Sequence, residues 1–366
     1  MKKSHHSDYI LIFIVLILIF IGLIILSSAS VVISQNNFNE SYYYLKHQLL
    51  YGVLLGLIFF FIIQRIDYRY WQKYSFPLMV LSLIFLSLVF VPGVGYSHGG
   101  ARRWIAIGSV SVQPFEFVKL VSIIYFATLL SKKGEVKEII KKSIIPCLVI
   151  MGIIAFLVLC QPNTSDLGII VLIVLSIYFL AGMRISYLIG AVLSLVSLFY
   201  ILIKTNSYRM SRLTVFLHPE TDPQGKGYQI NQALLAIGSG GLFGLGLGHS
   251  IQKWKYLPEV IGDSIFAIAA EELGLIGACI LVILFIALAC RGLKIAKNAP
   301  DKFGYLLAGG ITSWLFLQAF INIMAITGLM PLTGMPLPFI SYGGTALIIS
   351  LIGIGILVNI SKYTKI

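Results

Sequence analysis

The sequence predicts an all-α, polytopic integral membrane protein of about ten transmembrane helices, with a long outer loop between spans seven and eight. Composition, the length of the apolar runs and the placement of basic residues predict it. Of 366 residues, 58% are hydrophobic and 11% charged. A soluble chain carries about 25% charged residues to wet its surface. A soluble enzyme, a disordered chain and a secreted mini-protein are therefore excluded.

A bilayer core is about 30 Å thick and takes roughly 20 apolar residues of helix to cross. Such runs lie near 9–33, 47–64, 75–92, 114–130, 144–160, 167–183, 186–203, 264–290, 303–327 and 341–361. Runs five and six are split only by 161–166, and two spans are expected rather than one broken re-entrant element. The first run exceeds a signal-peptide core of about 7–15 residues, so it reads as a retained span. No internal repeat is evident, which disfavours a transporter built from two related halves. The chain reads as a single domain, 1–366, with the loop at 205–262 inside it.

The formal net charge is +13. With the N-terminus inside, Lys and Arg fall mostly in inner segments: Lys2 and Lys3, Arg65 to Lys73, Lys132 to Lys142, Arg184, Arg291 to Lys302, and Lys362 with Lys365. That is the positive-inside pattern, so both termini are expected to be cytoplasmic and no nucleic acid is expected to bind. Cys147, Cys160, Cys279 and Cys290 fit no metal or disulfide spacing and read as buried thiols. The six histidines show no metal spacing, so no metal site is expected.

Function must lie where polar residues meet the membrane. In 93–119, Arg102-Arg103-Trp104 puts two guanidiniums and an indole at the membrane surface, as interface anchors or as a binding group. Gln113-Pro114 then opens a helix carrying Glu116 and Lys119, three apart and able to pair. That pair is either functional or holds two helices together.

The loop 205–262 is far longer than the others, which marks it as functional. It carries Arg209, Arg212, Lys226, Lys253 and Lys255, and a glycine-packed stretch over 238–248. No βαβ unit surrounds those glycines, so they are no dinucleotide fingerprint. They read as a partly re-entrant segment with close backbone packing, or as an anion-binding groove. At the end of the loop stands Asp263, either a helix N-cap or a general base at a water–lipid boundary. By helical phase, Glu271 lies about 80° from Asp263 and Glu272 about 180°. Glu271 is therefore expected to share the Asp263 cavity.

Several segments together resemble the SEDS family (shape, elongation, division, sporulation) of bacterial membrane glycosyltransferases. They are Ser27-Ser28-Ala29-Ser30, Gly100-Ala101-Arg102-Arg103-Trp104, Gln113-Pro114-Phe115-Glu116-Phe117-Val118-Lys119 and Gly227-Tyr228-Gln229. Further on come Leu257-Pro258-Glu259, Asp263, Glu271-Glu272-Leu273-Gly274, and Gly334-Met335-Pro336-Leu337-Pro338-Phe339-Ile340-Ser341-Tyr342-Gly343-Gly344. The resemblance spans nearly the whole chain and is nearer to the division branch than to the elongation branch. Phe115, Ser264 and Asn163 depart from the usual pattern, and the role of 161–166 stays open.

The resemblance implies polymerisation of lipid II, with its undecaprenyl-linked glycan, at the outer face of the bacterial plasma membrane and at the division septum. It implies Asp263 as catalytic base. Arg102, Arg103, Trp104, Glu116, Lys119, Arg209, Arg212, Gln229, Lys253, Glu271 and Ser341 are the expected substrate-binding residues. No tightly bound cofactor is expected, and a divalent cation is left open. The implied partners are a monofunctional class B penicillin-binding protein and other divisome membrane proteins. The alternatives are an elongation polymerase, a lipid II flippase or transporter, and a non-catalytic division scaffold.

Overall fold

The computed structural model describes residues 6–98, 101–108, 110–161, 163–204, 210, 214–218, 225–254 and 256–364. Among them, each apolar run has become helix. The first span is α1 (Tyr9–Ala29), followed by a short α2 (Val31–Phe38). The second span joins α3 (Tyr43–His47), a π-helical stretch (Gln48–Leu54) and α4 (Leu55–Ile63). After α5 (Arg69–Lys73) come α6 (Ser75–Ser87) and α7 (Pro114–Leu130). Then follow α8 (Val136–Cys160), α9 (Thr164–Leu180) and α10 (Ile185–Lys204). The long loop carries α11 (Lys226–Ser239), and the last spans are α12 (Ile265–Lys297), α13 (Lys302–Ile326) and α14 (Gly344–Ser361). Runs five and six are two helices, as expected.

Local chemistry sets several helix starts. Asp8 caps α1 by accepting from Leu11 N at 3.0 Å, and Asp301 caps α13 by accepting from Gly304 N at 2.8 Å. Pro114 occupies the first turn of α7, where its missing N–H costs nothing.

Hydrogen bonds between loops sort the helix ends into two groups. At one end Asp8 N donates to Ser361 Oγ at 3.0 Å, Asp8 pairs with Arg291 at 2.8 Å, and Gln72 donates to Ser131 at 3.1 Å. At the other end lie Ser28, Gln48, Gln113, Asp166 and Asp263. The Asp8–Ser361 contact puts both described chain ends at the same end of the bundle.

The core is filled by Trp314, Phe115, Phe126 and Phe285, all fully buried, and α13 and α14 bury most of their residues. The periphery is apolar as well: Phe20, Ile145, Leu148 and Phe243 are exposed, as lipid-facing side chains should be. For the same reason the cysteines depart from expectation. Only Cys147 is half-buried, while Cys160, Cys279 and Cys290 face outward. An apolar run marks removal from water, and lipid satisfies that as well as protein does.

Two further departures concern the connections at the Asp263 end. A three-stranded antiparallel sheet forms from β1 (Gly95–His98), β2 (Ala101–Ile107) and β3 (Val110–Val112), in the order β1-β2-β3. Gly108, at φ +62°, lies between β2 and β3. Nor is the long loop only a loop. After α11, residues 240–246 run back against α12, which is broken at Gly274 (φ +70°, ψ −173°). Leu245 N and Gly246 N donate to the carbonyls of Glu271 and Glu272 at 3.0 and 3.1 Å. Leu275 N and Ile276 N donate back to Gly241 and Leu242 at 2.9 and 3.2 Å. The glycine-packed stretch is thus a close backbone approach that satisfies the groups freed by the break.

A Cβ at Gly274 would collide with Gly244 N and Leu242 O. Gly274→Ala is expected to lower stability by roughly 2 kcal/mol or more from the left-handed φ alone. Thermal unfolding in detergent, beside a Gly152→Ala control whose Cβ meets open space, checks this.

Candidate active site

Asp263 stands one residue before the N-cap of α12, which is Ser264. The helix-cap alternative for Asp263 therefore does not form. Its carboxylate is half-buried. Gln229 of α11 has Nε2 at 3.5 Å from Asp263 Oδ1 and donates to Ser264 Oγ at 3.0 Å. A Cβ on Gly334 would lie 3.8 Å from Asp263 Oδ2, so the carboxylate faces a position without a side chain.

The backbone around Asp263 is fixed by side chains from other elements. Asn322 of α13 donates from Nδ2 to Asp263 O at 2.9 Å and to Met335 O at 2.7 Å. One turn away, Gln318 donates to Pro336 O at 3.0 Å. Ser341 Oγ donates to Gly262 O at 2.6 Å and accepts from Leu337 N at 2.8 Å. Tyr342 N donates to Ile261 O at 2.8 Å, and Gln48 accepts from Gly343 N at 3.1 Å. Segment 334–343 is thereby stitched to 261–263.

Glu116 and Lys119 pair as their spacing predicts, at 2.8 Å and both 1% exposed. Lys119 also donates to Gln318 Oε1 at 2.8 Å and stands 5.5 Å over the Trp314 ring. Trp314 Nε1 donates to the same oxygen at 2.8 Å. The pair is thus wired through Gln318 to the strap at Pro336, and through the next turn of α13 to Asp263. Beside it lies Asp166, held by Asn163 and by Gln113 Nε2 at 3.2 Å. This gives 161–166 a structural role: Asn163 caps α9, and Asp166 ties α9 to the start of α7.

Glu271 does not share the Asp263 site. It is fully buried and accepts from Ser250 Oγ at 2.5 Å, Ile251 N at 2.9 Å and Gln252 N at 3.4 Å. Glu272 accepts from Ser28 Oγ at 2.5 Å and pairs with Lys253 at 3.3 Å. Lys253 Nζ also donates to Ser28 and to Gly248 O, at 2.9 and 2.6 Å. Glu271 and Lys253, both expected among the substrate-binding residues, anchor the loop to the bundle. The loop folds over the face of α12 that carries Glu271 and takes up its carboxylate.

Arg102 is exposed on β2, whereas Arg103 is half-buried with Nε 3.4 Å from Gln161 O. Trp104 pairs with Tyr96 across the sheet. Arg209 and Arg212 lie outside the described residues. The structure brings Asp263, Gln229 and Ser341 together and sets Glu116 and Lys119 behind them. Sequence reasoning missed Gln318, Asn322 and Gln48. Two amides four apart inside an apolar helix were the available signal for the α13 pair.

The chain matches the model of the FtsW, RodA and SpoVE cell cycle protein family over residues 9–366. The chain belongs to this family. Among its SEDS relatives, stage V sporulation protein E of Bacillus subtilis is 42% identical, covering 99% of each chain. The probable peptidoglycan glycosyltransferase FtsW of Geobacter metallireducens is 37% identical over 100% of this chain and 97% of its own. A solved peptidoglycan synthase complex, described as coordinating polymerisation and crosslinking, contains a chain that superposes with a TM-score of 0.81 at 26% identity, covering 97% of each. Thermus thermophilus RodA superposes with a TM-score of 0.71 at 26% identity, covering 98% of each.

Removing one partner of a buried ion pair costs about 3–5 kcal/mol, whereas replacing both with apolar groups is often tolerated. Lys119→Met is therefore expected to destabilise this SEDS protein strongly, and Glu116→Leu with Lys119→Met to recover much of the loss. A double-mutant cycle on melting temperature reads the difference.

Proposed function

We propose that this chain polymerises lipid II into glycan strands at the outer face of the plasma membrane during septal division, with Asp263 as general base. The chain is a peptidoglycan glycosyltransferase of the SEDS family. What supports the Asp263 assignment is a half-buried carboxylate just before α12, not used as a helix cap, on a backbone tied to α13 and to 334–343.

In the proposed reaction a sugar hydroxyl of the acceptor attacks the anomeric carbon of the lipid-linked donor. The new glycosidic C–O bond forms as the bond to the pyrophosphate oxygen breaks. The hydroxyl proton passes to Asp263, which makes the alcohol a competent nucleophile in the transition state. Undecaprenyl pyrophosphate leaves with the bonding pair, and its charge calls for cationic stabilisation. Arg102 is the exposed described candidate, with Arg209 and Arg212 as the loop's own. A single displacement inverts the anomeric centre. The reading uses no tightly bound cofactor, and Mg²⁺ titration in the assay asks whether a divalent cation assists.

The division setting is favoured by FtsW relatives at 37–40% identity over most of both chains. The 42% identity to the sporulation protein favours a second reading, cell-wall synthesis in the developing spore. Depletion separates them: filamentation supports division, rounding supports elongation, and loss of spores alone supports sporulation. The synthase-complex neighbour supports a class B penicillin-binding protein as partner.

Purified Asp263→Ala with its partner is expected to polymerise lipid II at least about 100-fold more slowly than wild type, the usual reach of general base catalysis, while keeping its melting temperature. A wild-type rate would end the assignment. Translocation of labelled lipid II that survives this substitution would replace polymerase with flippase.

A further inference from the structure

At the end of the bundle away from Asp263, α8, α9 and α10 enclose a trough of about 700 Å³. Its mouth carries Lys137 and Lys141, one turn apart on α8, and Arg184 just before α10. All three are exposed, and none pairs with a carboxylate among the described residues. The nearby Glu138 is taken by Lys142 at 2.9 Å. No lining residue is acidic.

Below the mouth the trough turns apolar. Ile140, Ile144 and Leu148 continue the Lys137–Lys141 face of α8, and Val174 and Leu175 line it from α9. Tyr178 forms part of the floor, its hydroxyl tied to Ser143 at 3.0 Å. From Lys137 to Leu148 the helix rises about 16 Å, close to half of the roughly 30 Å bilayer core. Only four residues of α8 are fully buried, Ile139, Ser143, Ile154 and Val158, so the trough opens to the surroundings of the bundle.

We propose that this trough binds an anionic diacyl phospholipid of the adjoining leaflet. The headgroup phosphate sits among Lys137, Lys141 and Arg184, and an acyl chain runs along Ile144 and Leu148. Three converging cations without a counter-charge select for an anion. An apolar floor one leaflet deep selects for a lipid over a soluble phosphate. Basic pockets between helices recognise acidic headgroups in this way. The proposal does not depend on the reaction at Asp263.

The test measures lipid retained by the full-length protein after reconstitution in equal parts phosphatidylglycerol and phosphatidylcholine, by native mass spectrometry. Wild type is expected to retain phosphatidylglycerol preferentially. Lys137→Ala with Lys141→Ala is expected to lose that preference by at least about tenfold, given the attraction of each surface cation for acidic lipid. Lys132→Ala with Lys133→Ala removes the same charge from the same end of the bundle, outside the trough, and is expected to keep it. Leu148→Trp, at a position 67% exposed, fills the trough and is expected to lower retention of either lipid. Equal retention of the two lipids by wild type, or equal losses in the two lysine pairs, would overturn the proposal. So would inorganic phosphate displacing the lipid as well as competing phosphatidylglycerol does.

Discussion

The Asp263 end of the bundle depends on two adjacent buried carboxylates beside the break in α12. Glu271 takes the backbone N–H groups of 251 and 252 with the Ser250 hydroxyl, and Glu272 takes Ser28 and Lys253. Two carboxylates side by side at membrane depth are costly unless satisfied. Here their donors come from the loop and from α1, so the loop cannot leave without exposing the charge. The break supplies the other half of the constraint. The carbonyls of the same two residues accept from Leu245 and Gly246, which fastens main chain to main chain where only glycine allows the approach.

On that base Asp263 is held largely through its backbone and neighbours. Asn322, Ser341 and Gln48 supply side-chain hydrogen bonds to carbonyls and amides on either side of it. The Asp263 carboxylate stays half-buried while Asn322, Ser341 and Gln48 are deeply buried. The Glu116–Lys119 pair extends this support into the bundle through Gln318. A buried pair is weak evidence for net stability. Its value here lies in orienting the amide that receives it, since Gln318 can hold Pro336 only if its carbonyl oxygen faces Lys119 and Trp314.

The opposite end of the bundle follows a different logic. Asp8–Arg291 and Tyr68–Asp301 close helix ends against each other, whereas Lys137, Lys141 and Arg184 stay open around an apolar trough. Charges at one end are consumed by structure or left to meet the membrane surface. At the Asp263 end Glu271, Glu272 and Lys253 hold the loop to the bundle.

The sequence alone determined the helical class, the crossings, the separation of runs five and six, the Glu116–Lys119 pair and the candidacy of Asp263. Each follows from local composition or from spacing along a single helix, so a one-dimensional pattern suffices. Tertiary structure decided the rest. It put Glu271 and Lys253 into the loop anchor, placed Ser264 rather than Asp263 at the N-cap position of α12, paired β1, β2 and β3 into a sheet, recruited Gln318 and Asn322, and turned three cysteines outward. Apolarity cannot tell lipid from core, because both exclude water. Helical phase cannot find a partner from a distant segment, because that depends on where the α12 break lets the loop come to rest.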